Sequence, residues 1–414
     1  MNIILYAVPF FFLLIFIELL LERNKGTDYY RVNDSINSLT AGVLSRMIGI
    51  VKQLFPLTIY VVAYEQLALF QITASWWMWV TAFVLYDFCY YWKHRFGHEM
   101  NILWAAHVVH HSSEEYNLTT ALRQSGSSFF SWIFYLPMAI LGFDAITLIT
   151  VGSLNLIYQF WVHTRHIPKM GWYEWVFVTP SNHRVHHAQN QIYIDRNYGG
   201  VFILWDRIFG SFQEELDTEK PIYGIRKALK SWNPLWANVH VYAQLLKDCW
   251  HAKRWQDKLC IWFKRTGWRP ADVEQNYPLS KVDLTKFRKF DIPLTLTNKF
   301  YSLLQYCLVV FVGLLLMMNV SGFTLIEQIL VVLFVLYGSI SAGLVLENNP
   351  LAVYLEWIKY ALILVTVVVY TLPEWIELTL GVSILINCTL LLFKKKDIIN
   401  TTRQMMEAHN ETIY

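Results

Sequence analysis

Histidine is a sparse residue, yet ten of the thirteen in this chain fall between positions 94 and 187. Eight of them form three spaced sets: His94 with His98, His107 with His110 and His111, and His183 with His186 and His187. Residues three and four apart share a helix face, so each set brings two or three imidazole nitrogens within reach of one centre. Eight nitrogens exceed what one tetrahedral ion takes, and two metal ions are the economical reading. A single HxxxH could be an interfacial helix whose histidines bond to water or backbone. Two HxxHH strings following an HxxxH leave little room for that alternative. Imidazole suits zinc, copper, iron and nickel alike, so ligand type does not name the metal. Neutral nitrogen donors preserve the positive charge of the site, which suits oxidation of an unactivated C–H bond, and iron is the natural metal for that chemistry.

Such sets can cooperate only if helices carry them to one level, and composition says what surrounds those helices. Of 414 residues, 55% are hydrophobic and 16% charged, with a mean hydropathy of +0.32, well beyond the soluble average. The expected fold is all-α: a polytopic integral membrane helical bundle with a cytosol-facing, histidine-rich di-metal site. The run 2–21 contains one acid, Glu18. It is long enough to span and no small-residue cleavage site follows, so it is expected to be a retained anchor. Further spans are expected over 42–69, interrupted by Arg46, Lys52 and Glu65, and over 76–92. The stretch 129–161, broken by Pro137, Gly142 and Asp144, reads as a tight hairpin of two helices. Four more spans are expected near 301–318, 328–346, 358–372 and 378–393.

Basic loops orient the bundle. Between Lys220 and Lys299, sixteen Lys and Arg stand against six Asp and Glu, which assigns that segment to the cytosol. The loop with Arg23, Lys25 and Arg31 and the run Lys394-Lys395-Lys396 have the same character. With 42–69 and 76–92 as one pair of spans and 129–161 as a returning hairpin, all three histidine sets fall on the cytosolic face. The expected organisation is N-terminal membrane helices (1–75), a catalytic domain (76–215), a basic, Trp-rich cytosolic or interfacial segment (216–299), C-terminal membrane helices (300–393) and a cytosolic tail (394–414). Net charge is only +3, and the basic residues interleave with Trp232, Trp236, Trp250 and Trp255. That mixture suits anionic lipid headgroups and excludes nucleic acid. The five cysteines are scattered without a CxxC, which suggests neither a disulfide frame nor a zinc knuckle.

The residues around the histidines are distinctive. Tyr90-Tyr91-Trp92-Lys93-His94-Arg95 precedes His98-Glu99, and His110-His111-Ser112-Ser113-Glu114-Glu115-Tyr116-Asn117-Leu118 leads to Thr120-Ala121-Leu122-Arg123-Gln124-Ser125. Tyr158-Gln159-Phe160-Trp161-Val162-His163-Thr164 and Thr179-Pro180-Ser181-Asn182-His183-Arg184-Val185-His186-His187 follow, then Asp195-Arg196-Asn197-Tyr198-Gly199-Gly200 and Trp205-Asp206-Arg207-Ile208-Phe209-Gly210. These strings resemble the fatty acid hydroxylase and sterol desaturase superfamily of integral-membrane di-iron enzymes and, within it, the alkylglycerol monooxygenases. The resemblance is close over 80–215 and elsewhere only a hydropathy outline.

That resemblance implies an oxidase of ether lipids that uses dioxygen and tetrahydrobiopterin and releases a fatty aldehyde. The eight histidines of the three sets would hold two iron ions, with His163 as a ninth ligand or a donor to one. Glu99 would orient a ligand imidazole or hold a pterin proton. Asn117, Arg123 and Gln124 would fix a headgroup or the pterin, and Glu99, Tyr116, Trp172 and Trp175 would wall the pterin pocket. Asp195 and Asp206 are expected to organise turns, His166 to lie outside the ligand set, and the solitary His240, His251 and His409 to be dispensable. A sterol or fatty acyl hydroxylase or desaturase fed by a separate redox protein fits the same boxes; no fused haem-binding domain is evident, which favours an external reductant. A membrane cytochrome would use isolated histidine pairs, and a metal transporter would set ligands in mid-span among acids; neither pattern is present. The host membrane is expected to be the endoplasmic reticulum in a eukaryote or the inner membrane in a bacterium.

Overall fold

The computed structural model describes residues 3–52, 54–127, 129–280, 282–369 and 372–391. Among these residues regular structure is helical, with two isolated β-bridges, Phe177 to Phe202 and Ala188 to Tyr223. Five helices are long and apolar enough to cross a membrane: Ile3–Lys25, Leu296–Met318, Leu325–Leu346, Leu351–Val368 and Glu374–Leu391. The pair Val32–Lys52 and Leu54–Leu67 makes a sixth if it is one span. The protein is therefore a multi-pass, all-α membrane protein. These helices overlap the expected runs, though some begin well before them: Val32 against 42 and Leu351 against 358. Residues 392–414, which include the end of the last expected span, Lys394-Lys395-Lys396 and His409, lie outside the described residues.

The expected span 76–92 is part of a longer helix, Trp76–Glu99, which continues through His98 and is not among the five. Its tryptophans, tyrosines and Asp87 dilute its apolar character. The stretch 129–161 does fold as two short apolar elements, Phe130–Leu141 and Ala145–Trp161. Gly142 ends the first with φ 100°, and a Cβ there would lie 2.1 Å from the Phe70 carbonyl oxygen, so glycine is required. Asp144 opens the second by accepting from the Thr147 N–H at 2.7 Å. Pro137 starts the helix Leu136–Leu141 instead of breaking one, at a position where its missing N–H is harmless.

By compactness the chain forms two units, each made of several segments. The first comprises Met1–Arg31, Ile48–Leu229 and Asn238–Lys289; the second comprises Val32–Met47, Lys230–Ala237 and the chain from Phe290 on. In the first unit, Tyr60, Ala82, Cys89, Met138, Ala139 and Val151 form a buried core between helices Leu54–Leu67, Trp76–Glu99, Leu136–Leu141 and Ala145–Trp161. That core fixes where the helix ends emerge. Trp76–Glu99 carries His94 and His98 in its last two turns, and Asn101–His111 ends on His110 and His111. Ala145–Trp161 stops two residues before His163. The short helix Pro180–His186 is nucleated by a capping box between Thr179 and Asn182 with Pro180 in its first turn.

Candidate metal centre

Nine imidazoles converge in two sets. His94, His98, His107, His111 and His186 make one; His110, His163, His183 and His187 make the other. Within each set the candidate ligand atoms all lie within 4.8 Å of one another, and every residue is buried except the half-buried His107. Each HxxHH string is divided between the sets. A helix turns about 100° per residue, so His107 and His111 face one centre and His110 the other, while His183 and His187 face the second and His186 the first. The sets adjoin: the rings of His111 and His187 stack with centroids 4.3 Å apart.

The geometry suits metal ions. Nε2 of His107 lies 3.0 Å from that of His94 and 3.2 Å from that of His111. Nε2 of His163 lies 3.3 Å from that of His110 and 3.0 Å from that of His183, which in turn lies 3.2 Å from that of His187. Nitrogen ligands at about 2.0–2.1 Å from an ion place neighbouring donors about 3.0–3.4 Å apart. The outer nitrogens settle which atom is the ligand. Nδ1 of His94, His110, His163 and His186 lies 2.8, 2.9, 2.8 and 3.0 Å from the carbonyl oxygens of Tyr198, Arg123, Gln159 and Arg196. A carbonyl only accepts, so Nδ1 carries the proton and Nε2 turns a lone pair inward. Nε2 of His110 and His163, both fixed in this way, face each other at 3.3 Å, and two lone pairs at that distance repel unless a cation lies between them. Nε2 of His98 and of His186 is buried with no bonding partner at all. Burial also pushes His110 down to about 4 and His186 to about 3, against the partial opposition of their backbone carbonyls, so both are in the neutral, ligating form at ordinary pH. The residues present therefore fit two ions.

Two buried aspartates hold the first set in place from behind. Asp206 organises a turn, as expected: it accepts from the Tyr198 and Gly199 N–H groups and the Ser211 hydroxyl, each at 2.7 Å. Burial nevertheless pushes its carboxyl up to about 6. Asp87 accepts from the N–H groups of Val201 and Phe202 at 2.8 and 2.9 Å, from the Trp205 indole at 3.0 Å and from Asn155 at 2.6 Å. Together they grip the backbone whose carbonyls, at Tyr198 and Arg196, hold His94 and His186. Cβ atoms at Gly199 and Gly200 would come within 2.6 Å of the Phe202 carbonyl oxygen and 2.7 Å of the Asp87 carboxylate, which is why the chain approaches so closely here. Sequence reasoning missed Asp87, Asn155 and Gln159. The signals were present: a lone acid in an apolar helix, and Asn155, Gln159 and His163 at successive four-residue spacing. Gln159 bonds both Asn155, at 2.6 Å, and the Tyr90 hydroxyl, at 2.7 Å.

The other candidates are dispersed. The Glu99 carboxylate accepts from Arg95 Nε at 3.1 Å and from the Tyr198 hydroxyl at 3.3 Å. It lines a polar cavity of about 360 Å³ with Arg95, Gln191, Asp195, Arg196 and Arg265. Tyr116 belongs to the second set: it is fully buried, its ring 5.6 Å from that of His163 and stacked on Tyr223 at 4.8 Å. Trp172 and Trp175 are 77% and 67% exposed. Of the four groups expected to wall one pocket, Glu99 lines this cavity and Tyr116, Trp172 and Trp175 do not. Asn117 caps helix Leu118–Ala121 and donates to the Tyr29 carbonyl at 2.7 Å. Arg123, fully buried, donates to the Val109 carbonyl and the Ser112 hydroxyl, while its own carbonyl orients His110. Gln124 donates to the Ala121 carbonyl at 3.0 Å. Asp195, at φ 58°, pairs with Arg265 at 3.0 Å, and the His166 ring lies 5.0 Å from that of Tyr29.

Residues 79–211 match the fatty acid hydroxylase family model. The chain is 36% identical over 357 residues to the alkylglycerol monooxygenase of Homo sapiens, covering 85% of this chain and 80% of that protein. It is likewise 36% identical over 363 residues to the alkylglycerol monooxygenase of Danio rerio, covering 86% and 80%. An ornithine lipid hydroxylase of Rhizobium tropici is 26% identical over 138 residues, or 32% of this chain and 41% of that protein. No solved structure matches the chain.

Proposed function

The chain belongs to the alkylglycerol monooxygenase family of membrane lipid oxidoreductases, and from that premise we propose that it is a di-iron enzyme cleaving the ether bond of alkylglycerols with dioxygen and tetrahydrobiopterin. The observation that carries this reading is the pair of buried imidazole sets whose Nε2 atoms lie against one another or are buried without a partner. When bound, the metal ions activate dioxygen, one atom of which enters a C–H bond beside the ether oxygen while the other leaves as water, with two electrons drawn from the pterin. The resulting hemiacetal parts into a fatty aldehyde and a glycerol derivative.

The chain's own residues supply position and exclusion. Nine imidazoles hold the ions, and the carbonyls of Tyr198, Arg123, Gln159 and Arg196 fix the tautomers of four of them. Burial keeps bulk water from the reacting carbon. Asn117, Arg123 and Gln124 act through the turn that sets His110. Glu99 and its cavity dock the pterin: a carboxylate accepts ring N–H protons, and Arg95 and Arg265 flank a planar heterocycle. The lipid enters from the bilayer between helix Trp76–Glu99 and the 130–161 hairpin. The centre faces the cytosol, on the side of the basic segments, in the endoplasmic reticulum of a eukaryote or the inner membrane of a bacterium.

Purified, iron-loaded protein is expected to release fatty aldehyde from a 1-O-alkylglycerol only when reduced pterin is present, and to contain about two iron ions per chain, the number the two ligand sets can hold. Oxidation of a sterol or acyl chain with a cytochrome or ferredoxin donor, with ether lipid plus pterin ignored, would overturn the substrate and donor. Stoichiometric zinc with activity independent of iron would overturn the metal.

A further inference from the structure

An anchor needs only length and apolar side chains, and Glu18 is out of place in a helix with that role alone. It is the single acid in the run 2–21, and it is buried. Ile4, Ala7, Phe11 and Ile15 on the same helix, Ile3–Lys25, are buried with it, at spacings of three and four that make one face. Tyr6, Phe10, Leu13 and Phe16, off that face, are exposed. The helix thus docks on the rest of its unit along a stripe that ends at Glu18. Phe11 stacks on Phe160 at 4.2 Å, three residues before His163.

The Glu18 carboxylate joins three segments that are far apart in the chain. One oxygen accepts from the hydroxyl of Thr164, the residue after His163, and the oxygen of that hydroxyl accepts from the His166 N–H at 3.1 Å. The other oxygen accepts from the Leu118 N–H at 2.9 Å and from the Tyr30 hydroxyl. Leu118 opens the short helix Leu118–Ala121, and two residues past its end the Arg123 carbonyl holds Nδ1 of His110. Asn117, which caps that helix, donates to the Tyr29 carbonyl, in the segment whose N–H groups Glu22 folds back toward the N-terminal helix. His163 and His110 belong to one imidazole set. The loop behind the other set is gripped by Asp87 and Asp206.

We propose that Glu18 is a positioning residue for the second imidazole set. Through Thr164 and Leu118 it holds His163 and His110 for their ion, so the N-terminal membrane helix is part of the metal centre as well as an anchor. The inference rests on the two-ion reading given above.

The test is binding of iron(II) to the full-length protein in neutral detergent, without oxygen, by competition with a chelator. Wild type is expected to hold two ions. Glu18→Leu makes the helix more apolar, so a pure anchor would lose nothing. Here one ion should be held about 10–100-fold more weakly, as for other residues that orient a ligand, and the other unchanged. Ligand variants locate the weakened ion: Glu18→Leu should weaken the ion that remains in His98→Ala and spare the one that remains in His183→Ala. Thr164→Val should repeat part of the loss and add little to Glu18→Leu, because the two share one contact. Glu18→Gln, which keeps an accepting oxygen, should lose less than Glu18→Leu. Should Glu18→Leu not fold, Glu18→Gln and Thr164→Val carry the same comparison. Unchanged affinity for both ions in these variants overturns the proposal. Equal loss at both ions, in step with a fall in melting temperature, overturns it too and makes Glu18 a staple of the fold. Wild-type protein that binds no second ion overturns the two-ion reading and the proposal with it.

Discussion

Two buried polar clusters, one in each compact unit, differ in what they lack. In the second unit, Glu356 and Lys359 on helix Leu351–Val369 are fully buried and form an ion pair at 2.7 Å. Lys359 also donates to Gln305 at 2.5 Å; Tyr301, Tyr360 and Ser341 donate to Glu356; Gln305 donates to Asn387 at 2.7 Å. Each charge is met, and the network ties together Leu296–Met318, Leu325–Leu346, Leu351–Val369 and Glu374–Leu391. In the first unit, nine imidazoles crowd together, four of them with a lone pair turned inward by a carbonyl on Nδ1, and two Nε2 atoms have no partner. A closed network holds helices together; an open one of identical acceptors requires a cation. Buried polarity in an apolar bundle therefore has two meanings, and the completeness of its hydrogen bonding distinguishes them.

The largest expected effect lies at the open cluster. Alanine at any of His94, His98, His107, His110, His111, His163, His183, His186 or His187 should abolish turnover and lower bound metal while the protein still inserts. Because each HxxHH string serves both sets, combining one variant from each set should be no worse than either alone. His251→Ala, whose ring stacks on Tyr277 at 3.9 Å, serves as the control and should keep its metal. Full activity in two or more of the nine single variants would break the assignment of the open cluster.

At the closed cluster the expected effect is on stability. Lys359→Met leaves Glu356 buried without its counter-charge and should cost about 3–5 kcal/mol, read as a fall in the melting temperature of the detergent-solubilised protein. Adding Glu356→Gln should recover much of that loss. Turnover lost at unchanged melting temperature would show that the network takes part in function, and the contrast between the clusters would fail.

The smallest effect concerns the support behind the imidazoles. Asp206→Asn keeps the size of the side chain but weakens its grip on the Tyr198 and Gly199 N–H groups. Metal affinity should fall about 10–100-fold, as for other residues that orient a ligand, measured by competition with a chelator. An unchanged affinity would show that the loop holds His94 without its aspartate.

Much of this was legible in the chain itself. Apolar runs located the late membrane helices to within seven residues, because a span needs a minimum length of hydrocarbon-compatible side chains and little else. The histidine spacings identified eight members of the centre, because metal coordination demands one residue type at helical intervals. Gly142 and Asp144 marked the hairpin turn correctly, while Pro137 was misread as a break, since proline at the start of a helix and proline inside one look alike without the flanking backbone.

What the chain by itself determined is the donor inventory: which nitrogens exist, and that membrane helices must carry them. Only the tertiary structure decided their partition, with His110 separated from His107 and His111, and His186 from its own string, because that depends on how four helix ends face one another. It also decided that Glu99 lines a polar cavity while Tyr116 packs beside His163, and that Asp87, seven residues before His94, reaches the loop whose carbonyl orients that ring. Spacing along one helix specifies a direction. Which atom stands in that direction depends on packing between segments far apart in the chain, and no local pattern encodes that.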